Sequence, residues 1–256
     1  TLNINGDINV ENGYLDSFKL YNFSSKIKAN SDKIDLNQIS IRYQKQKYIT
    51  GNGSISFSKK RPYDFILKTD QLPLDKLLLV FGIPLNKFNF NLNTEKLHIK
   101  GTSKPFNMKV ESKARLNKLR IKRKDKKNLQ EINIECKVPL KLKVDKNKLV
   151  WHPVKGLCGS EKILVGKKDN NIELNSTFYF NKNKGMILTS KIFNLDFDLF
   201  QTFWKDKTLQ GSLEKIDLKI SGSYSDLLFE ANPKISNVSY QNIFLDKLDG
   251  SIRYKK

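Results

Sequence analysis

Ile132-Asn133-Ile134-Glu135-Cys136-Lys137-Val138-Pro139-Leu140-Lys141-Leu142-Lys143-Val144 decides the fold. Apolar residues take every second place, and the places between are mostly charged or polar. That period of two is the period of a β-strand with one dry face and one wet face. Pro139 stands at a polar place within the run, which leaves the apolar phase intact.

The same alternation runs outward in both directions. Upstream it appears as Ile39-x-Ile41-x-Tyr43, Ile55-x-Phe57, Phe65-x-Leu67, Phe88-x-Phe90-x-Leu92, Leu97-x-Ile99 and Met108-x-Val110. Downstream it appears as Ile172-x-Leu174, Phe178-x-Phe180 and Ile216-x-Leu218-x-Ile220. Turn chemistry lies between: Asn12-Gly13, Gly51-Asn52-Gly53, Lys59-Lys60-Arg61-Pro62, Asp169-Asn170-Asn171 and Asn181-Lys182-Asn183-Lys184-Gly185. A strand plus turn every 10–14 residues or so predicts an antiparallel meander of roughly 16–20 strands. Two segments break the alternation, Leu74–Phe81 with Gly82 and Pro84 beyond it, and Asp196–Trp204. Both read as short helices. The expected fold is all-β: a long antiparallel meander curled into an open groove, with two short helices.

The two breaks reveal an internal repeat. Each follows a hairpin, and each precedes a Glu-Lys-aliphatic strand ending in glycine. The first is Glu95-Lys96-Leu97-His98-Ile99-Lys100-Gly101 and the second Glu214-Lys215-Ile216-Asp217-Leu218-Lys219-Ile220-Ser221-Gly222. Matching positions lie 119 to 123 residues apart. Residues 1–128 then form one repeat, with a partial leading element at 1–21, and 129–256 form the second, in one continuous sheet rather than separate domains. Asn12–Tyr21 is echoed by Phe244–Tyr254, so the chain reads as a stretch of a longer array.

Composition narrows the function. Leu, Ile, Val and Phe supply 80 of 256 residues, enough for a core. The longest apolar run, Leu77–Phe81, is far short of the ~20 residues of a membrane-crossing helix. The net charge is +21, but only six of 47 basic residues are Arg, the residue favoured for bidentate phosphate recognition. Abundant Asn (26) and Lys with three Ala match the output of AT-rich codons, so nucleic acid is not the expected partner. A basic surface beside anionic lipid headgroups fits the charge equally well. Cys136 and Cys158 permit a disulfide in an oxidising compartment, or serve as two small buried side chains.

No chemistry-bearing constellation emerges. His98 alternates with Leu97 and Ile99 and belongs on a wet face, and His152 lies between Trp151 and Pro153. Neither has a nucleophile in a recognisable context. Gly51-Asn52-Gly53 lacks the helix that a phosphate loop needs. The basic run Lys122–Lys127 reads as a solvated loop tip. No enzyme, metal or cofactor is expected.

The order of strand, Gly, hairpin, short Leu-Asp-Leu segment, strand and Gly resembles the AsmA-like family of bacterial envelope proteins, of the AsmA/TamB/YhdP type. The stretches that carry the resemblance are Gly51–Phe57, Leu72–Leu78, Leu97–Gly101, Leu195–Phe200, Leu213–Gly222 and Leu245–Tyr254. Trp151–Lys168 has no counterpart in the first repeat and departs from the pattern. The resemblance implies an internal segment of a protein that is anchored in the inner membrane by an N-terminal helix outside this chain. Such a protein crosses the periplasm of a Gram-negative bacterium, and its apolar groove moves phospholipid between the two membranes. The partners implied are phospholipid, the inner membrane and an outer-membrane protein.

The expected groove lining is Ile55, Phe57, Phe65, Leu67, Phe88, Phe90, Leu92, Leu97, Ile99, Ile132, Ile134, Leu140, Leu142, Phe178, Phe180, Leu218 and Ile220. Alternation alone does not separate such a lining from the core of a closed sandwich. Two other readings stand beside it: a β-scaffold that assists outer-membrane protein assembly through a sheet edge, and a basic surface for polyanions.

Overall fold

The computed structural model describes residues 3–15, 18–44, 47–73, 88–122, 129–159, 171–179, 181, 183–196, 210–223, 225–240 and 243–255. They form fifteen strands: β1 (Ile4–Leu15), β2 (Phe18–Ala29), β3 (Lys33–Gln44), β4 (Lys47–Ser56), β5 (Pro62–Pro73), β6 (Phe88–Ser103), β7 (Phe106–Lys122), β8 (Leu129–Asp145), β9 (Lys148–Gly159), β10 (Ile172–Tyr179), β11 (Met186–Asp196), β12 (Gln210–Ser223), β13 (Asp226–Tyr240), β14 (Ile243–Asp249) and β15 (Ile252–Lys255). From β1 to β14 each strand pairs antiparallel with its sequence neighbour in one open sheet. β15 continues the line of β14 along the same edge of β13, where Ala231 faces Ile252 and Leu228 faces Lys255.

Several local expectations change. Among the described residues the strands number fifteen, and they are longer than the spacing suggested: β7 and β8 run 17 residues each. Asn12-Gly13 and Gly51-Asn52-Gly53 are not turns; they lie inside β1 and β4. The expected helix at Leu74–Phe81 lies outside the described residues. So does the second from 197 onward, while its first residue, Asp196, closes β11. Among the described residues there is no helix. The turn at 57–61 is where the sequence places it, and in the second expected turn the Lys184 and Gly185 amides donate to Asn181 O.

Register puts the apolar alternation on one face from end to end. Ile34 faces Ile55, which faces Tyr63, and Tyr63 faces Gly101. Met108, Val144, Leu149, Phe178 and Met186 continue that row. The opposite face carries charge ladders such as Lys155–Glu173–Lys191–Asp217. The core lies at mid-sheet, where Leu92 and Val144 are 0% exposed and Leu149 is 1%.

Register shifts interrupt eight of the fourteen ladders among the described residues, and each bulge bends its strand and frees backbone groups. Short polar side chains take up those groups. Ser25 Oγ donates to Asn37 O at 3.0 Å beside the β2–β3 shift. The Gln38 amide donates to Asn52 Oδ1 at 2.9 Å beside the β3–β4 shift. The Gln71 amide donates to Asn93 Oδ1 beside the β5–β6 shift. Asn171 receives the Cys158 amide and donates to its carbonyl. Part of the Asn content is therefore structural, a role that codon bias does not account for.

Some positions matched in the expected repeat share local structure. β6 carries its extra residue against β7 between Asn93 and Leu97, around Glu95-Lys96, and β12 carries its own against β13 at Glu214. Gln71 and Asn194, 123 positions apart, both have positive φ (50° and 52°). Gly101 and Gly222 sit where the following hairpin closes in. A Cβ on Gly101 would lie 2.0 Å from Asn107 O, and one on Gly222 would lie 2.4 Å from Asp226 O. A side chain at either position would push the two strands apart.

Candidate apolar groove

β6 shows how the apolar face is assembled. Phe88-x-Phe90-x-Leu92 and Leu97-x-Ile99 are out of phase by one residue, which in a regular strand would put them on opposite faces. The bulge at Glu95-Lys96 absorbs that residue. Leu92 then faces Leu116, and Leu97 faces Ser112. Leu116 and Ser112 share one face of β7, so Leu92 and Leu97 share it too.

The expected lining residues fall into distinct groups. Leu92, Leu97 and Leu140 are buried in the central cluster. Leu67, Phe90, Ile99, Leu142 and Phe178 are half-buried and pack against that cluster. Phe65 is half-buried on the same face, opposite Gly53 and Ile99. Ile55 is half-buried between Ile34 and Tyr63. Leu218 and Ile220 are half-buried further along, opposite Ser190 and Leu188. Phe57 lies beyond the end of β4, 49% exposed, in the turn. Phe88, Ile132 and Ile134 take strand positions in β6 and β8, with side chains outside the described set. Phe180 lies outside the described residues.

The structure adds residues the alternation missed. Leu72 is buried opposite Leu92, yet strict period two from Leu67 sends it to the wet face; the bulge at Gln71 turns it back. Leu149 and Trp151 face Val144 and Leu142. The Trp151 indole N–H donates to Pro139 O at 3.3 Å, so its ring edge is satisfied while its body rests on the cluster. Burial lifts the Tyr63 phenol above its ordinary pKa, and its O–H donates to Asn107 O at 3.0 Å.

Cys136 and Cys158 face each other across β8 and β9 and form a disulfide, with Cα atoms 4.0 Å apart. The bond ties the two central strands together beside Leu116, which faces Cys136. His98 lies on the charged face, 2.7 Å from Asp64 through Nε2. Among the described residues no group of three His, Cys, Asp or Glu converges on a metal position. No helix among them is long and apolar enough to cross a membrane.

The apolar face opens toward both edges. Ile4 and Val10 on β1 are exposed, as are Leu245, Leu248, Ile252 and Tyr254 on β14 and β15. The arrangement is a buried strip in the middle, half-buried aliphatic and aromatic side chains beside it, and open apolar surface at the margins. Such a face binds hydrocarbon without needing directional polar contacts. No family model, curated protein or solved structure matches this chain.

Proposed function

We propose that this chain is a segment of an AsmA-like bridge protein whose apolar face carries or shields phospholipid acyl chains on their way between the inner and outer membranes. The observation that supports this reading is the continuity of one apolar face through fourteen consecutively paired strands. Serial bulges bend the strands, which suits a sheet that curls around its apolar side into a trough. Holding a ~16-carbon chain out of water offsets on the order of 12 kcal/mol, at about 0.8 kcal/mol per CH₂. A face of uniform character offers nearly that relief at each step, so a chain slides along it without chemistry. The reading assigns no catalytic step. The Cys136–Cys158 disulfide supports an oxidising compartment such as the periplasm.

Photocrosslinking tests this directly. A photoreactive residue at Phe65 or Ile220 should capture phospholipid in cells, and one at Glu111 on the charged face should not. Equal capture from both faces, or none from either, overturns the proposal.

A second reading is favoured by one observation. β14 and β15 bound the sheet with exposed apolar side chains, Phe244 at 78% among them. A partner strand added there would gain main-chain hydrogen bonds and cover those side chains. This suits a scaffold for outer-membrane protein assembly. Crosslinks from Ile243 or Phe244 to a β-barrel client, with none to lipid from Phe65, would favour it.

A further inference from the structure

On the charged face the register aligns Lys100 of β6 with Lys109 of β7, and Lys109 with Lys143 of β8. Like charges directly opposite one another on neighbouring strands destabilise a sheet. Lys109 has a cation on each side. Elsewhere on this face opposite signs meet, as Lys155 and Glu173 at 3.0 Å and Lys219 and Glu230 at 3.4 Å. Where like charges face, Arg115 against Lys137 and Lys215 against Lys234, one member has a carboxylate, Glu135 at 3.9 Å from Arg115 and Asp217 at 2.7 Å from Lys215. The acids around the lysine row are directed elsewhere. Asp64, opposite Lys100, takes the His98 ring nitrogen. Asp145 accepts the amides of Asn147 and Lys148 in the hairpin turn. Glu111 faces His98 and Lys141. Asp35 pairs with Lys33 at 2.9 Å. None of the three lysines has an ion pair among the described residues.

Compositional bias does not explain the row. The same row continues into the second repeat as Ile187, Ser221 and Leu228. Its next cation, Lys255, is paired with Asp226 at 3.3 Å. The clustering is therefore confined to the neighbouring strands β6, β7 and β8. Lys100 and Lys109 also border a hollow of about 430 Å³ whose lining includes Lys33, Ser54, Thr102 and Asp64, the last with its carboxylate on His98.

We propose that Lys100 and Lys109, with Lys143 adding positive charge on the far side of Lys109, form a binding site for a phosphate group. Neighbouring strands lie about 4.8 Å apart. Two ammonium groups at that separation can share one phosphate, each at a charge-assisted hydrogen-bond distance of about 2.8 Å. A bound phosphate converts the repulsion along the row into attraction. The chemistry is the same for a soluble phosphate compound and for a phospholipid headgroup. The site lies on the face opposite the groove and does not rest on the lipid reading.

The test compares the full chain with K100Q/K109Q/K143Q and with a control of equal charge change, K68Q/K191Q/K234Q. In phosphate-free buffer the ladder variant should melt higher than the wild type, because the repulsion is gone. Inorganic phosphate, at ionic strength matched with chloride, should raise the wild-type Tm by about 2 °C or more. It should leave the ladder variant unchanged and raise the control as it does the wild type. Flotation with phosphatidylcholine vesicles, with and without phosphatidylglycerol, identifies the source. Retention only on phosphatidylglycerol, reduced about tenfold or more in the ladder variant alone, indicates a headgroup. A phosphate response without vesicle retention indicates a soluble ligand. A wild-type Tm indifferent to phosphate, or equal loss of response in ladder and control variants, overturns the site.

Discussion

The Phe65 ring lies over Gly53, and a Cβ added to that glycine would fall 2.0 Å from Phe65 Cδ1. The two residues face each other across β4 and β5. The glycine inside the strand leaves a gap on the apolar face that the neighbouring ring fills, so the face stays closed to water at that point. Gly53→Val should destabilise the protein by about 1–3 kcal/mol, the cost of overpacking. In the Phe65→Ala background the same change should cost much less. Urea midpoints of the four proteins of this cycle measure the coupling, and additive effects would refute the contact.

The extra residue in β6 keeps Leu92 and Leu97 on one face. Deleting Lys96 should put the two halves of β6 back out of phase. Either Phe90 and Leu92 or Leu97 and Ile99 then face water, forfeiting about 1.5–3 kcal/mol for each side chain exposed. That approaches the whole stability of a typical domain. The expected result is loss of the cooperative unfolding transition by circular dichroism, whereas Lys96→Ala should leave it nearly unchanged.

Cys136 and Cys158 close a loop with a sequence separation of 22. Chain-entropy arguments put the stabilisation from such a closure at about 3 kcal/mol. Reduction, or replacement of both cysteines by Ser, should lower the urea midpoint accordingly, and a thiol assay on the unreduced, unfolded protein should find no free thiol.

Tyr63 gives a pH signature. Burial raises its pKa above the ordinary value of 10.0. In the unfolded chain the phenol ionises first, so above about pH 10 the unfolded state binds fewer protons and stability falls as pH rises. The loss continues until the folded pKa is passed. Tyr63→Phe should flatten that part of the alkaline decline. It should also cost about 1 kcal/mol at neutral pH through the lost hydrogen bond to Asn107 O. Urea midpoints at neutral and alkaline pH for both proteins provide the check.

The sequence made the strands and their dry face legible because period two survives wherever a ladder is regular, as from Cys136 to Val144. It misled where a bulge shifts the phase. Leu72 sits one residue out of step with Leu67, and only the register with Leu92 shows which face it joins. Gly51-Asn52-Gly53 has the composition of a turn but is strand, because Leu67 and Phe65 across β5 need the room that the glycines leave. Asn93 and Asn171 resemble loop residues in composition, yet both satisfy backbone groups of neighbouring strands. These are tertiary demands with no local signature. The bulges at Glu95-Lys96 and Glu214 fall at positions that the sequence pairs in its expected repeat.

The lipid content of the purified protein tests the central claim most directly. The chain would be expressed in a Gram-negative envelope, washed in high salt and analysed by mass spectrometry. The account predicts phospholipid in stoichiometric amount, surviving the wash and lost when Phe65 and Ile220 are both replaced by Asp in a protein that still folds. A fully folded wild-type chain that carries no lipid would contradict it.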